Sequence, residues 1–235
     1  MTITYYGHAC FGIETDGKHL LFDPFITDNE LAKDIDATTI PCDFMFLSHG
    51  HRDHIADAEA IAKRTGCTVI CAWEIHNWLN AKGVTNTHPM NIGGTREFAF
   101  GTVKCVVAHH SSSLPDGTYG GNPMGFVVDT NREDAAEEGG CFYFAGDTAL
   151  TLDMQLIPMT CAPLGFAILP IGSNFTMDYH DAIIASDFIQ CNTIIGCHFD
   201  TFGYIKIDHE AAIKAFEDER KELILPKIGS TLEWA

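Results

Sequence analysis

The segment that most constrains the fold is Ser48-His49-Gly50-His51-Arg52-Asp53-His54. It packs three imidazoles and a carboxylate into six residues, in the order His-x-His-x-Asp-His, directly after the short apolar run 43–47. A run of that kind ending in a Ser-His-Gly-His turn reads as a buried strand, on which His49 and His51, as alternate residues, face one side. Asp53 and His54 already turn into the next helix and reach a second position beside the first. Imidazole and carboxylate together suit zinc, and also manganese or iron. Four donors are too few for two ions, so the fold has to bring further ligands from elsewhere in the chain.

Three segments qualify. Ala108-His109-His110-Ser111-Ser112-Ser113 follows the apolar run 103–107, Ala145-Gly146-Asp147-Thr148 follows 141–145, and Gly196-Cys197-His198-Phe199 follows 193–195. Each sets a His or Asp just beyond the C-terminal end of an expected strand, where α/β scaffolds usually build sites. The remaining pattern supports such a scaffold. Strands are expected at 2–6, 11–15 and 19–22, with Asp16-Gly17 as a hairpin turn, and again at 68–71, 125–129 and 166–169. Helical periodicity marks 55–64, capped by Gly66, then 73–81, 181–190 and 209–222. Early strands run together and later ones alternate with helices. Two β-sheets covered by helices, in one α/β domain spanning 1–235, is the simplest architecture.

Composition narrows the function. Fourteen basic residues against thirty-two acidic ones give a net charge of −18, which repels phosphate backbones and anionic lipid. A nucleic-acid or membrane-surface partner is therefore not expected, and a small-molecule substrate is. Nine cysteines form an odd set without a Cys-x-x-Cys pair, mostly inside apolar runs such as Thr68-Val69-Ile70-Cys71. They read as reduced core thiols of a cytoplasmic protein. The N-terminus shows neither a basic n-region nor an apolar h-region, and no apolar run approaches the about eighteen residues of a membrane span. The acidic stretch 131–140 reads as an exposed loop, and Trp73 and Trp78 as helix-packing residues. Ser111 to Ser113 lack the Gly-x-Ser-x-Gly surroundings of a serine nucleophile. Leu, Ile and Phe patches leave room for self-association into a homo-oligomer.

The order His-x-His-x-Asp-His, then His, Asp and His, strongly resembles the metallo-β-lactamase-fold hydrolase superfamily. Gly7-His8-Ala9-Cys10-Phe11 and Leu21-Phe22-Asp23-Pro24-Phe25 resemble that fold's opening hairpin and Asp-Pro turn. Leu152-Asp153-Met154, Pro170-Ile171-Gly172 with Thr176-Met177, and His198-Phe199-Asp200-Thr201-Phe202 resemble one branch of metal-dependent hydrolases, similar to L-ascorbate-6-phosphate lactonase. The resemblance implies a four-layer αββα sandwich of two mixed β-sheets flanked by helices. It implies two divalent ions, zinc first and manganese or iron otherwise. His49, His51 and His110 would hold one, and Asp53, His54 and His198 the other, with Asp147 between them. His109 remains the alternative to His110.

The implied activity is hydrolysis of an ester, lactone or phosphoester by a hydroxide shared between the ions. Asp53 would aim that hydroxide, while His8 and His180 are candidates for substrate contact or proton donation; a satisfied surface histidine is the equal alternative for His8. Asp23 is either an imidazole-orienting carboxylate or merely the turn residue before Pro24. Two other classes share the fold: di-iron oxidoreductases, against which His51 and the chain length argue, and non-catalytic ligand-binding members, which would be expected to have lost ligands.

Overall fold

The computed structural model describes residues 1–130 and 140–234, so the acidic stretch lies, but for Gly140, outside the described residues. The chain forms two compact units. The first comprises Met1–Asn91, Ser111–Pro123 and the chain from Lys227 onward; the second comprises Ile92–His110 and Met124–Pro226.

The first unit carries strands β1 (Thr2–Gly7), β2 (Cys10–Thr15), β3 (Lys18–Phe22), β4 (Phe44–Phe46), β5 (Thr68–Cys71) and β6 (Thr87–Pro89) in spatial order, with the strand Thr231–Glu233 outside β1. Pairing is antiparallel as far as β3 and parallel from β3 to β6. Alternation along β1 buries Ile3 and Tyr5, which stand opposite Ile13 and Phe11 of β2. The β2–β3 turn has positive φ at both central residues, Asp16 at 49° and Gly17 at 68°, as a type I′ turn requires. Register sets Phe22 beside Phe46, and their rings stack with centroids 4.5 Å apart.

The helix expected over 55–64 is two helices, α1 (Arg52–Ile55) and α2 (Ala58–Thr65). The interruption comes from Asp57. Its backbone N–H donates to Pro24 O at 3.1 Å, and its carboxylate accepts from the backbone N–H groups of Ile26 and Thr27 and from Thr27 Oγ1. Gly66 closes α2 in the left-handed conformation, as its position in sequence implied. Helix α3 (Trp73–Ala81) follows β5. Trp73 is not a packing residue: it is exposed and stacks on His76, while Trp78 is half-buried and its Nε1 donates to Asp116 at 3.0 Å.

The second unit carries β7 (Thr95–Phe98), β8 (Gly101–Val107), β9 (Met124–Asp129), β10 (Cys141–Phe144), β11 (Phe166–Pro170), β12 (Thr193–Cys197) and β13 (Glu222–Ile224). They lie in one mixed sheet, antiparallel from β7 to β10 and parallel from β10 to β13. Helices α4 (Ile157–Thr160), α5 (Tyr179–Phe188) and α6 (His209–Asp218) complete it. Tyr143, Leu169, Ala182, Ile194 and Phe216 belong to one buried cluster that joins the sheet to its helices. Helix α6 ends four residues before the expected limit at 222, because Arg220 turns left-handed at φ 60°. Glu222 then pairs with Thr193 as the start of β13. Among the described residues no helix is long and apolar enough to cross a membrane.

Candidate metal centre

Strand direction decides which side chains meet. In the first unit β1 and β3 run parallel, since each pairs antiparallel with β2, and β4 runs parallel to β3. The residues that follow them, His8, Asp23 and Ser48-His49, therefore emerge at one sheet edge. Open α/β sheets bind ligands at the carboxyl ends of their strands. Here that edge is lined with imidazole and carboxylate.

Asp23 organises it. Its carboxylate is fully buried and accepts from Ser48 N at 2.7 Å, Ser48 Oγ at 2.5 Å and His54 Nδ1 at 2.8 Å. Burial raises its pKa, and the His54 and Ser48 contacts pull it back. A carboxylate on Nδ1 fixes the tautomer and turns Nε2 of His54 into the nitrogen that could take a metal. Ser48 acts as a relay. Its hydroxyl proton goes to Asp23, so its oxygen accepts from His49 Nδ1 at 2.9 Å. His49 Nε2 then carries a lone pair and stands 2.9 Å from His51 Nδ1. Two ring nitrogens that close require a proton or a cation between them.

The segment's glycine sits in a tight place. A Cβ on Gly50 would come within 3.2 Å of Leu114 Cδ2 and of Ser113 O, and Gly50 N–H donates to Ser112 Oγ at 3.0 Å. Ligand atoms of Asp23, His49 and His54 all lie within 4.8 Å of one another. His8 is buried rather than a surface residue, with φ at 55°, and its Nε2 is 3.2 Å from Asp53 Oδ2. It holds the Asp53 carboxylate, which remains partly exposed.

The second unit repeats the logic. β8, β10 and β12 all run the same way, because β8 and β10 both pair antiparallel with β9 and β12 follows through parallel β11. His110, Asp147 and His198 follow these three strands. Asp147 Oδ2 is 3.0 Å from His198 Nε2 and 3.6 Å from His110 Nε2. Donors that share one tetrahedral ion at ordinary bond lengths lie about 3.3 Å apart. The donor set and its spacing thus fit a divalent metal. His109 turns the other way, with Nε2 at 3.3 Å from Asp153 and its side chain largely exposed, whereas His110 is mostly buried. Thr148 Oγ1 accepts from His109 N at 2.9 Å, tying the 109 and 148 backbones together. His180 is exposed on the first turn of α5, and its contacts are with Asp178 and Tyr179.

Sequence reasoning did not find the Ser48 relay, because a serine before a histidine carries no signal until β3 and β4 are aligned.

Comparison with known proteins agrees with this chemistry. Residues 2–198 match the β-lactamase superfamily domain. A UPF0173 metal-dependent hydrolase of Flavobacterium johnsoniae is 54% identical over 233 residues, covering 99% of this chain and 100% of the relative. Another, of Christiangramia forsetii, is 52% identical over 234 residues, with 99% and 100% covered. Igni18, a metallo hydrolase of the hyperthermophilic archaeon Ignicoccus hospitalis, superposes with a TM-score of 0.86 at 30% identity, covering 100% of this chain and 99% of that one. The two mixed sheets with flanking helices are those of the metallo-β-lactamase fold. With buried imidazoles gathered at strand ends and near-complete coverage by such relatives, the chain belongs to the UPF0173 metal-dependent hydrolases of the β-lactamase superfamily.

Proposed function

We propose that the protein hydrolyses a small-molecule ester, lactone or phosphoester, and that two divalent ions serve the reaction. His49, His51 and His110 hold one and Asp53, His54 and His198 the other, with Asp147 shared. The observation that carries this reading is Asp147, whose Oδ2 lies within a ligand-to-ligand distance of both His110 and His198. Zinc is the first choice for this donor set, with manganese or iron as alternatives. Such ions polarise a carbonyl or phosphoryl oxygen and lower the pKa of water.

The protein's own groups do the rest. Asp53 accepts a hydrogen bond from the attacking oxygen and aims it, and His8 fixes the rotamer in which it does so. Asp23 and Ser48 keep the His54 and His49 rings turned toward the metal. No step requires His180. A reducing compartment suits the nine free thiols: burial pushes Cys105 up to about 12 and Cys141 higher still, so both stay protonated. Lactones and related small-molecule esters rank first because of the branch resemblance.

The test is metal analysis of the purified protein, with a panel of lactones, aryl esters and phosphodiesters assayed before and after chelation. About two equivalents of metal per chain are expected, with turnover that chelation abolishes and zinc, manganese or iron restores. His51→Ala and His198→Ala should each lower the stoichiometry. Turnover that survives complete metal removal would overturn the reading.

A further inference from the structure

In the second unit, the chain between β11 and α5 makes a tight excursion. Gly172 and Asp178 pair as an isolated antiparallel bridge, and Ser173 N–H donates to Met177 O at 2.9 Å. Both ends of the excursion are fastened to neighbours of ligand residues. Met177 N–H donates to Thr148 O at 3.1 Å, one residue after Asp147. Gly172 packs so tightly on the His198 carbonyl that a Cβ would stand 2.1 Å from its oxygen.

The excursion is strained at its tip. Ser173 and Asn174, two consecutive non-glycine residues, take φ of 63° and 58°. Such backbone persists where the surrounding structure over-determines it, and it clusters at functional sites. What this strained tip presents is Phe175, half exposed.

Opposite it lies the loop that follows His198. Asp200 N–H donates to Ile205 O at 2.8 Å, and Asp200 Oδ1 accepts from Ile207 N at 3.1 Å, closing the loop on itself. It presents Tyr204, 78% exposed, whose ring meets that of Phe175 edge to face with centroids 6.2 Å apart. Two large rings held in water on fixed backbone beside two ligand residues have no packing role to explain them. Stretch 172–178 contains no lysine or arginine, and the loop 199–207 contains one, Lys206.

We propose that Phe175 and Tyr204 form an aromatic clamp for the alkyl or aryl arm of an ester or lactone. The inference rests on the hydrolase reading above and narrows its substrate to apolar-armed molecules. The rings stand in for water around the arm and thereby set substrate choice, while metal binding and bond cleavage belong to other residues.

The test uses metal-loaded protein, a series of p-nitrophenyl esters from acetate to octanoate, and γ-lactones with lengthening alkyl tails. For the wild type, kcat/KM should climb with chain length. Phe175→Ala and Tyr204→Ala should flatten that climb, with a loss of about tenfold or more on the longest substrates and no loss of bound metal. Tyr204→Phe should keep the preference.

Calorimetric binding of methyl ketones carrying the same tails gives a second readout that needs no turnover. Affinity that grows with tail length in the wild type and not in the alanine variants supports the clamp, even if no ester is cleaved; the hydrolase reading then fails alone. Chain-length dependence that survives both alanine variants overturns the clamp. So does a change of oligomeric state in them by analytical ultracentrifugation, since the rings would then belong to a contact between copies.

Discussion

Asp23 and Asp53 show how differently two carboxylates near the same imidazoles are used. Asp23 is sealed, and every hydrogen bond it accepts comes from a group that positions a ring. Asp23→Asn keeps the volume but turns one acceptor into a donor aimed at donors. It should weaken metal binding about 10–100-fold, measured by competition with a chromophoric chelator; unaltered affinity would remove the orienting role. Asp53 is partly exposed and held by His8 alone among the hydrogen bonds described above. Asp53→Ala should leave the unfolding midpoint near that of the wild type and cut kcat by about 100-fold or more. A metal-loaded variant with full turnover would remove Asp53 from the chemistry.

The spacing of His49, His51, Asp53 and His54 was legible because the donors are local to one turn. The two readings of Asp23 could not be separated in sequence, and the structure shows it to be both, a turn residue at φ 41° and the acceptor for His54. His8 could have been a surface residue; the direction of β1 buries it.

At the scale of elements, the strands that bear chemistry were legible because they are apolar runs with a His or Asp at the C-terminal end. Edge strands were not. β7 is exposed along most of its length and β6 holds three half-buried residues, so neither shows an apolar alternation to read. The split between α1 and α2 depends on Pro24, Ile26 and Thr27, some thirty residues upstream of Asp57.

Element geometry also separates two glycines with opposite consequences. Gly172→Ala forces a methyl group onto the His198 carbonyl, where Ile171 N also bonds Cys197 O at 3.0 Å. It should cost about 1–3 kcal/mol of stability by urea denaturation and lower metal content with it. Gly66→Ala meets nothing within 4 Å but keeps the left-handed φ of 69°. It should cost about 1–2 kcal/mol and leave metal content as it was. Equal metal loss in both variants would mean that the Gly172–His198 contact does not matter to the site.

At the scale of the molecule, neither unit is one continuous stretch: the chain passes between them after Asn91, His110, Pro123 and Pro226. The net charge of −18 acts on everything that approaches. The two divalent ions proposed above would offset only a small part of it, so a phosphodiester anion meets a repulsive field at long range, whereas a neutral lactone meets none. Salt screens that field within about 10 Å at 0.1 M. Raising sodium chloride from about 0.01 to about 0.15 M should therefore increase kcat/KM for an anionic phosphodiester by a few-fold and leave a neutral lactone unaffected. Stopped-flow or initial-rate assays on both substrates read the two slopes directly. A rate on the anion that falls with salt would mean that the ions and their surroundings present a net positive face to substrate. The preference for uncharged molecules would then lose its electrostatic support, whatever the aromatic rings do.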